Sequence, residues 1–440
     1  SSTMPAHTYR RCVFPWRNNM VSAASRVSTS VYAVCWTMAS PSSATPSRAC
    51  LLLTKHGLLR PGDSQVASPA WQAAALLLQA GEAAAPVLHG MQLALALAQH
   101  LTHREKPPRL LLVTCGALGV GGTPSCAAHG GVWGFARVLR LEHQALRTQT
   151  TDVLCRESLT ASIMTTLAPT NETEVACISP LHLVARLRVH SLSSAASSTA
   201  PAYGTYTVTG GLGGLGMRAA ILLAQAYASR VLLASRSGRV VRDGQDVEAQ
   251  LLSMGVVATA VAGDSADALA VVALLSGSSL DGVLHAAGVG DKGLLIELAA
   301  RKVQWMYASK ALGAWHLQCA AATTPLERRV LFSSVASALG NVGQSNYAAG
   351  NACLDTHALF QRAGGKVACS LQWPLVGGAG MGAAAFAAVG ERQVSMAGLA
   401  GILLEEYAAC LKLQLTLSGD AACSTQSAQA KLTGHRQLRH

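Results

Sequence analysis

The run TYTVTGGLGGLG, Thr205–Gly216, decides the fold. Alternating β-branched and aromatic residues read as a strand that ends at Thr209. The glycine turn follows, and the pattern then becomes helical over Met217–Tyr227. A strand–glycine loop–helix unit lets the backbone come close to a pyrophosphate lying at the helix N-terminus, because glycine puts no Cβ in the way. Thr209, Gly210, Gly211, Gly213, Gly214, Leu215 and Gly216 are the candidate cradle. A bare glycine pattern is weak evidence; the flanking strand and helix make it specific.

Outward from this loop, short apolar runs alternate with helical patterns. The strand candidates are Tyr203–Thr209, Arg230–Ala234, Val256–Val261, Gly282–Ala286, Arg329–Ser333 and Ala368–Gln372. Such alternation predicts a parallel sheet with helices on both faces, with ligands beyond the carboxyl ends of the strands. The second strand runs into Ser235-Arg236. An acidic residue there would hold a ribose 2′-hydroxyl, whereas an arginine favours a 2′-phosphate and so NADPH over NADH. Asp264, after the third strand, has two comparable readings, facing an adenine or capping the helix from about Ala266. Ala286, Ala287 and Gly288 end the fourth strand with small side chains that leave room for a cofactor. His285 beside them reads as structural rather than as a base.

A proton-transfer group completes the pattern. Ser334 closes the fifth strand, Tyr347 follows thirteen residues later, Asn351 lies four beyond it, and Lys310 precedes Ser334 by 24 residues. Tyr347 and Asn351 share one helix face. Reducing a ketone needs a proton for the developing oxyanion, and a free phenol with a pKa near ~10 is a poor partner at neutrality. A lysine ammonium nearby is expected to depress that pKa. The serine hydroxyl is suited to orient the carbonyl, and the asparagine to hold the lysine or a water.

The first half echoes the second. Leu110–Thr114 followed by Cys115 and Gly116, in LLLVTCGALGV, resembles a glycine loop that has lost its spacing, which predicts a related α/β half without room for a dinucleotide. The apolar stretch Trp71–Leu101, interrupted by Glu82, Pro86 and His89, reads as buried helices. The first thirty residues and Thr37–Arg48 read as linkers or loops. A formal charge of +12 is scattered, and aromatic residues make up only 5%, against a nucleic-acid surface. Positive charge of this kind also suits a phosphorylated cofactor and an acidic partner. The twelve cysteines include no C-x-x-C pair, so no metal site is expected. No run reaches the roughly 18–20 apolar residues of a membrane span, and no secretory signal is evident. The expected location is the cytoplasm or a plastid.

Residues 203–381 resemble the ketoreductases of type I polyketide synthases and animal fatty-acid synthases, in the short-chain dehydrogenase/reductase superfamily. The segments TVTGGLGGLG, LLASRSGR, GVLHAAGV, SKALGAWHL, VLFSSVASALGNVGQSNYAAGNACLD and LQWPLVGGAGMG carry the likeness in order. Ordinary members place the lysine four residues after the tyrosine; here Asn351 stands there and Lys310 takes its role, as in the megasynthase reductases. YAVCW at Tyr32–Trp36 and GGVWGFARVLRLEHQ at Gly130–Gln144 resemble the opening strand and signature helix of the family's first subdomain. MPAHTYRRCVFPW resembles a linker from an upstream domain.

The resemblance implies an α/β fold of two Rossmann-like doubly wound parallel-sheet subdomains, the first truncated and degenerate. It divides the chain into a linker remnant (1–31), a structural subdomain (32–200), a catalytic NADPH-binding subdomain (201–415) and a tail (416–440). It implies NADPH-dependent reduction of a β-ketoacyl thioester to the β-hydroxyacyl thioester. The substrate would be presented on the phosphopantetheine arm of an acyl carrier protein, with neighbouring synthase domains as partners. A non-catalytic scaffold and a free-standing alcohol dehydrogenase are the alternatives; the intact Ser334, Tyr347, Lys310 and Asn351 argue against the first, the relocated lysine and long first half against the second. Two stereochemical markers of bacterial synthases are missing: Gly290-Asp291-Lys292 replaces an L-D-D triplet, and Leu339 stands where a tryptophan would.

Overall fold

Residues 205–373 alternate strand and helix because each strand is a short apolar run and each intervening segment buries one helical stripe. In the computed structural model the described residues are 13–15, 31–38, 47–54, 73–79, 85–119, 126–154, 172–178, 181–186, 203–226, 228–240, 247–276, 279–383, 395–396, 399–416 and 431–432. The first sheet runs in sequential order through β1 (Val13–Pro15), β2 (Val31–Met38), β3 (Ser47–Thr54), β4 (Ala73–Gln79), β5 (Arg109–Cys115), β6 (Gln149–Val153), β7 (Glu174–Ile178) and β8 (Leu181–Leu183). The second contains β9 (Thr205–Thr209), β10 (Arg230–Ser235), β11 (Val257–Ala262), β12 (Gly282–His285), β13 (Arg328–Ser334) and β14 (Cys369–Trp373). Its order is β11-β10-β9-β12-β13-β14, all parallel. The order reverses between β9 and β12, which opens a crevice at their carboxyl ends where doubly wound sheets bind ligands. Every strand expected in this half lies within two residues of its observed bounds.

Among the described residues the α-helices are α1 (Leu88–Thr102), α2 (Gly131–Glu142), α3 (Gly214–Gln225), α4 (Val247–Ser253), α5 (Ala268–Leu275), α6 (Ala300–Tyr307), α7 (Gly313–Ala320), α8 (Val335–Leu339), α9 (Ser345–Ala363) and α10 (Leu404–Thr416). The helix after the glycine loop starts at Gly214, one turn earlier than the apolar pattern indicates. Within Trp71–Leu101 the reading as helices needs correction: Ala73–Gln79 is a strand, and among the described residues the helix begins at Leu88. Ala74, Leu76 and Leu78 pack on α1 and α2, while Ala75 and Leu77 pack on the opposite face. A strand buried on both faces shows no apolar period, so the sequence could not distinguish it from a helix. The segments read as linkers are also partly strand, since β1, β2 and β3 enter them.

The first half has the expected α/β character, with one difference in detail. Among its described strands β4 to β7 run parallel, while β1 to β4 pair antiparallel, as do β7 and β8. Its degenerate loop is filled from within. The Asp152 carboxylate accepts from Thr114 Oγ1 at 2.8 Å and from the backbone N–H groups of Ala117 and Leu118 at 2.9 Å each. Those amides would face a phosphate in a working glycine loop, and here a side chain of the chain itself satisfies them. Burial pushes the Asp152 carboxyl up to about 6 despite these bonds.

The two halves meet along α2 and α9. At Gly134 a Cβ would lie 2.2 Å from the Ala348 carbonyl oxygen, so the helices touch backbone to backbone. Arg137 Nη1 donates to the Ser337 carbonyl at 2.5 Å and forms an ion pair with Glu174 at 2.6 Å. Glu142 accepts from the Gly343 N–H at 2.8 Å and the Leu295 N–H at 2.7 Å. The first half thus braces the loop that leads into α9. Among the described residues, no helix is long and apolar enough to cross a membrane, and no cluster of His, Cys, Asp and Glu could hold a metal.

Candidate active site

Two clefts adjoin at the carboxyl ends of β9 and β12. The first, about 820 Å³, is lined by the glycine loop, Ser235, Arg236, Arg239, Asp264 and the Ala286–Ala287–Gly288 segment. Gly210 adopts φ +71°, and a Cβ there would lie 2.6 Å from the Ala286 carbonyl carbon and the Ala287 nitrogen, so only glycine fits. Gly213 caps α3 without any side-chain hydrogen bond, which leaves the helix N-terminus to an anion. Of the thirteen residues expected to line a cofactor, Gly211 alone does not: it is buried, donates to the Val208 and Ala234 carbonyls, and belongs to the packing beneath the loop.

The far end of this cleft is basic. Arg236 and Arg239 both line it and both are exposed. Arg239 was not evident from the sequence; it follows a tight turn at Gly238, φ +63°, that brings the chain back to the cleft. Ser235 contributes a buried hydroxyl with no hydrogen-bond partner, an orphan that a ligand could satisfy. Asp264 has two comparable readings, facing an adenine or capping a helix. It lines the cleft, its carboxylate turns onto the Ala266 N–H at 3.0 Å, and the cap of α5 is Asp267 instead. An adenine nucleotide with a pyrophosphate and a 2′-phosphate fits this set of donors, charges and glycine contacts.

The second cleft, about 750 Å³, contains Ser334, Tyr347 and Lys310 and shares Leu215, Ala286 and Met381 with the first. Ser334 ends β13 and caps α8, its Oγ accepting from the Ala336 N–H at 3.3 Å. Tyr347 lies in the first turn of α9, held by Asn346, whose Oδ1 accepts the Tyr347 N–H at 2.8 Å. Lys310 arrives on a π-helical turn, Ala308–Leu312. It is 3% exposed, donates from Nζ to the Phe332 carbonyl at 2.9 Å, and lies 5.7 Å from the centre of the Tyr347 ring. A Cβ on Gly288 would lie 3.1 Å from that Nζ, so the absence of a side chain there admits the lysine.

Two expectations about this group need correction. Burial pushes the Tyr347 hydroxyl above its ordinary range, and Ser334 and Asn351 oppose the rise without cancelling it. Burial outweighs any attraction of Lys310 for the phenolate, because its ammonium is directed to the Phe332 carbonyl and lies 5.7 Å from the ring centre. Burial in turn lowers Lys310 to about 8, against the attraction of Asp355. Asn351 does not bond Lys310; its Nδ2 donates to the Tyr347 carbonyl at 2.9 Å, and its buried Oδ1 has no partner. An unpaired buried acceptor is a place for an ordered water or a ligand group.

Asp355 was missed, although Tyr347, Asn351 and Asp355 follow one another at four-residue steps along one helix face. Its carboxylate accepts from Ser337 Oγ and Ser370 Oγ at 2.6 Å each and from Gln372 Nε2 at 2.8 Å. The three bonds fasten α9 to β14 and to the helix that Ser334 caps. Met381 was missed too, because a lone methionine after a glycine-rich stretch gives no signal.

A nucleotide cleft opening sideways onto a tyrosine and a serine hydroxyl is the plan of the short-chain dehydrogenases/reductases, and fold and site together put the chain in that class. The family model of the KR domain matches residues 204–378. An A1-type ketoreductase of known structure is 31% identical with a TM-score of 0.71, over 78% of this chain and 73% of that one. A C2-type ketoreductase from a modular polyketide synthase is 30% identical with a TM-score of 0.67, over 80% and 76%. Among curated proteins, polyketide synthase GfsA of Streptomyces halstedii is 35% identical over 300 residues, which is 65% of this chain and 4% of that protein. The spectinabilin polyketide synthase system protein NorB of Streptomyces orinoci is 39% identical over 209 residues, 46% of this chain and 10% of that protein. The chain belongs to the ketoreductase family of modular polyketide synthases, a family of oxidoreductases. It spans a tenth or less of the length of these two curated synthases.

Proposed function

We propose that the chain reduces the ketone of a β-ketoacyl thioester to the β-hydroxyacyl thioester with NADPH. The observation that carries this reading is the sharing of Leu215, Ala286 and Met381 by the two clefts; a nucleotide in the first would have its reactive end beside Ser334 and Tyr347. The glycine loop and the α3 N-terminus would hold the pyrophosphate, Arg236 and Arg239 the 2′-phosphate, and Ala286 to Gly288 the middle of the cofactor. Bound there, NADPH supplies the hydride.

The chain's own residues manage the oxygen. Ser334 donates a hydrogen bond to the ketone oxygen and fixes its direction. Tyr347 gives its proton to that oxygen as negative charge builds on it. The raised pKa of the phenol serves this role, since an acid must be protonated when the substrate arrives. Lys310 then favours the phenolate that is left, its ammonium 5.7 Å from the ring centre. Asn351 Oδ1 holds a water through which the proton is restored. The thioester enters on the phosphopantetheine arm of an acyl carrier protein, past the exposed Lys292 at the second cleft. The formal charge of +12 suits an acidic carrier, and neighbouring synthase domains are the other partners.

The test is consumption of NADPH with a β-ketoacyl thioester of N-acetylcysteamine, compared with a simple ketone and with the same chain on a loaded carrier protein. Faster turnover of the thioester, and faster still on the carrier, is the expected result. Equal turnover of the simple ketone points to a free-standing alcohol dehydrogenase, and no turnover with any carbonyl points to a scaffold.

A further inference from the structure

His285 ends β12 directly before Ala286, which lines both clefts, and is fully buried. Burial, with the Lys310 ammonium nearby, lowers its imidazole to about 3, so the ring is neutral near pH 7. A neutral imidazole has one N–H and one acceptor nitrogen. Its Nε2 lies 3.1 Å from the Lys310 carbonyl oxygen, which can only accept, so Nε2 carries the hydrogen. Nδ1 is then the acceptor, and the Thr209 hydroxyl, 2.7 Å away, donates to it. The chemistry of the two partners therefore fixes the tautomer, and the bonds run in one direction from Thr209 through the ring to Lys310.

Each end of this path matters. Thr209 opens the glycine loop and lines the nucleotide cleft. Lys310 sits on a π-helical turn, a widened geometry that occurs mainly as single turns at functional sites. The ring packs closely against Gly313, where a Cβ would lie 2.9 Å from its Cε1. Thr209 and His285 are also direct partners across β9 and β12. The sheet fixes one end of the path and the imidazole carries that placement to the lysine's backbone.

We propose that His285 is a positioning residue that couples the glycine loop to the Lys310 turn, so that nucleotide binding at the loop and placement of the ammonium over Tyr347 are one event. The proposal rests on the reductase reading above. It gives His285 no contact with substrate and no part in proton transfer.

The experiment compares His285→Phe, which keeps a ring and loses both bonds, with His285→Gln, whose amide can replace the donor and the acceptor. Hydrogen–deuterium exchange is followed in Thr209–Gly216 and Ala308–Leu312, with and without NADPH, beside the NADPH dissociation constant and the pH profile of kcat. In the parent, NADPH should slow exchange in both segments. In His285→Phe the protection at Ala308–Leu312 should be lost, NADPH should bind about three- to tenfold more weakly, the worth of a neutral hydrogen bond, and the alkaline limb of the pH profile should move. His285→Gln should restore most of each change. A folded His285→Phe with parental exchange at the lysine turn and a parental pH profile overturns the proposal, even if its melting temperature falls. If His285→Phe does not fold, Thr209→Val cuts the path at its other end; faster exchange at Ala308–Leu312 supports the coupling and parental exchange refutes it. A parent that neither binds NADPH nor reduces any carbonyl defeats the reductase reading instead; exchange in the two nucleotide-free variants then decides the coupling alone.

Discussion

Replacing Gly134 by alanine tests whether the first half braces the catalytic helix. The added Cβ would lie 2.2 Å from the Ala348 carbonyl oxygen, 2.5 Å from its carbon and 2.9 Å from the Ala352 Cβ. Two of those atoms are backbone, so no side-chain rotation relieves the overlap, and α2 and α9 must part by about 1 Å to reach ordinary contact. Overpacking of this size costs about 1–3 kcal/mol. Ala348 follows Tyr347 directly, so the displacement reaches the hydroxyl, and a misplacement of about 1 Å at a reacting group costs up to about 10²-fold in rate. The glycine loop lies on α3, away from this interface, so NADPH affinity should hold. Thermal unfolding, kcat with a β-ketoacyl thioester and the NADPH dissociation constant form the assay. Expected are a lower melting temperature and a tenfold or greater loss of kcat, by the magnitude just cited, with unchanged NADPH binding. Parental stability and parental kcat together would refute the backbone contact between the halves.

Arg236→Ala should weaken NADPH binding while leaving NADH binding nearly unchanged; because Arg236 is exposed and Arg239 remains, the loss should be near tenfold, the low end for a charge-assisted bond of about 1.5–3 kcal/mol. Equal losses for both nucleotides would show that the arginine does not read the 2′-phosphate. Burial lowers Lys310 to about 8, so its ammonium is present below that pH and lost above it. Turnover should therefore fall as pH rises through about 8, and Lys310→Ala should be slow and lack that limb; a flat parental profile through this range would exclude the role. Gly288→Ala should also slow turnover, because the Cβ would sit 2.9 Å from Lys310 Cε and displace the ammonium; parental kcat would contradict this.

The catalytic half was legible because its strands are short, separated by turn residues and followed by clear helical stripes. Its candidate site was legible because the glycine loop and Ser334 lie at strand ends, Tyr347 lies in the first turn of α9, and Lys310 lies on the turn between α6 and α7. The first half was less so. Ala73–Leu78 is apolar throughout because both faces of this strand are covered, which erases the alternation that marks a strand. The failure of its glycine loop was visible, but not the reason for it, since Asp152 meets Ala117 and Leu118 only after β5 and β6 have paired. The direction of the Tyr347 pKa could not be read from residue types, because it depends on whether burial or the lysine prevails. The Asn351 side chain was assigned to Lys310 or a water by chemistry alone, and geometry turns its Nδ2 to the Tyr347 carbonyl. His285 looked like an apolar strand's closing residue, and nothing in its neighbours in sequence announces Thr209 or Lys310 as partners.

The most direct test of the account is Tyr347→Phe assayed with NADPH and a β-ketoacyl thioester. The exchange removes one hydroxyl and leaves the ring against Lys310, so packing and nucleotide binding should hold. General acid catalysis is worth roughly 10²–10⁴ in rate, so kcat should fall by a factor in that range while the NADPH dissociation constant stays equal to the parent's. Reduction of the thioester at the parental rate by Tyr347→Phe would contradict it.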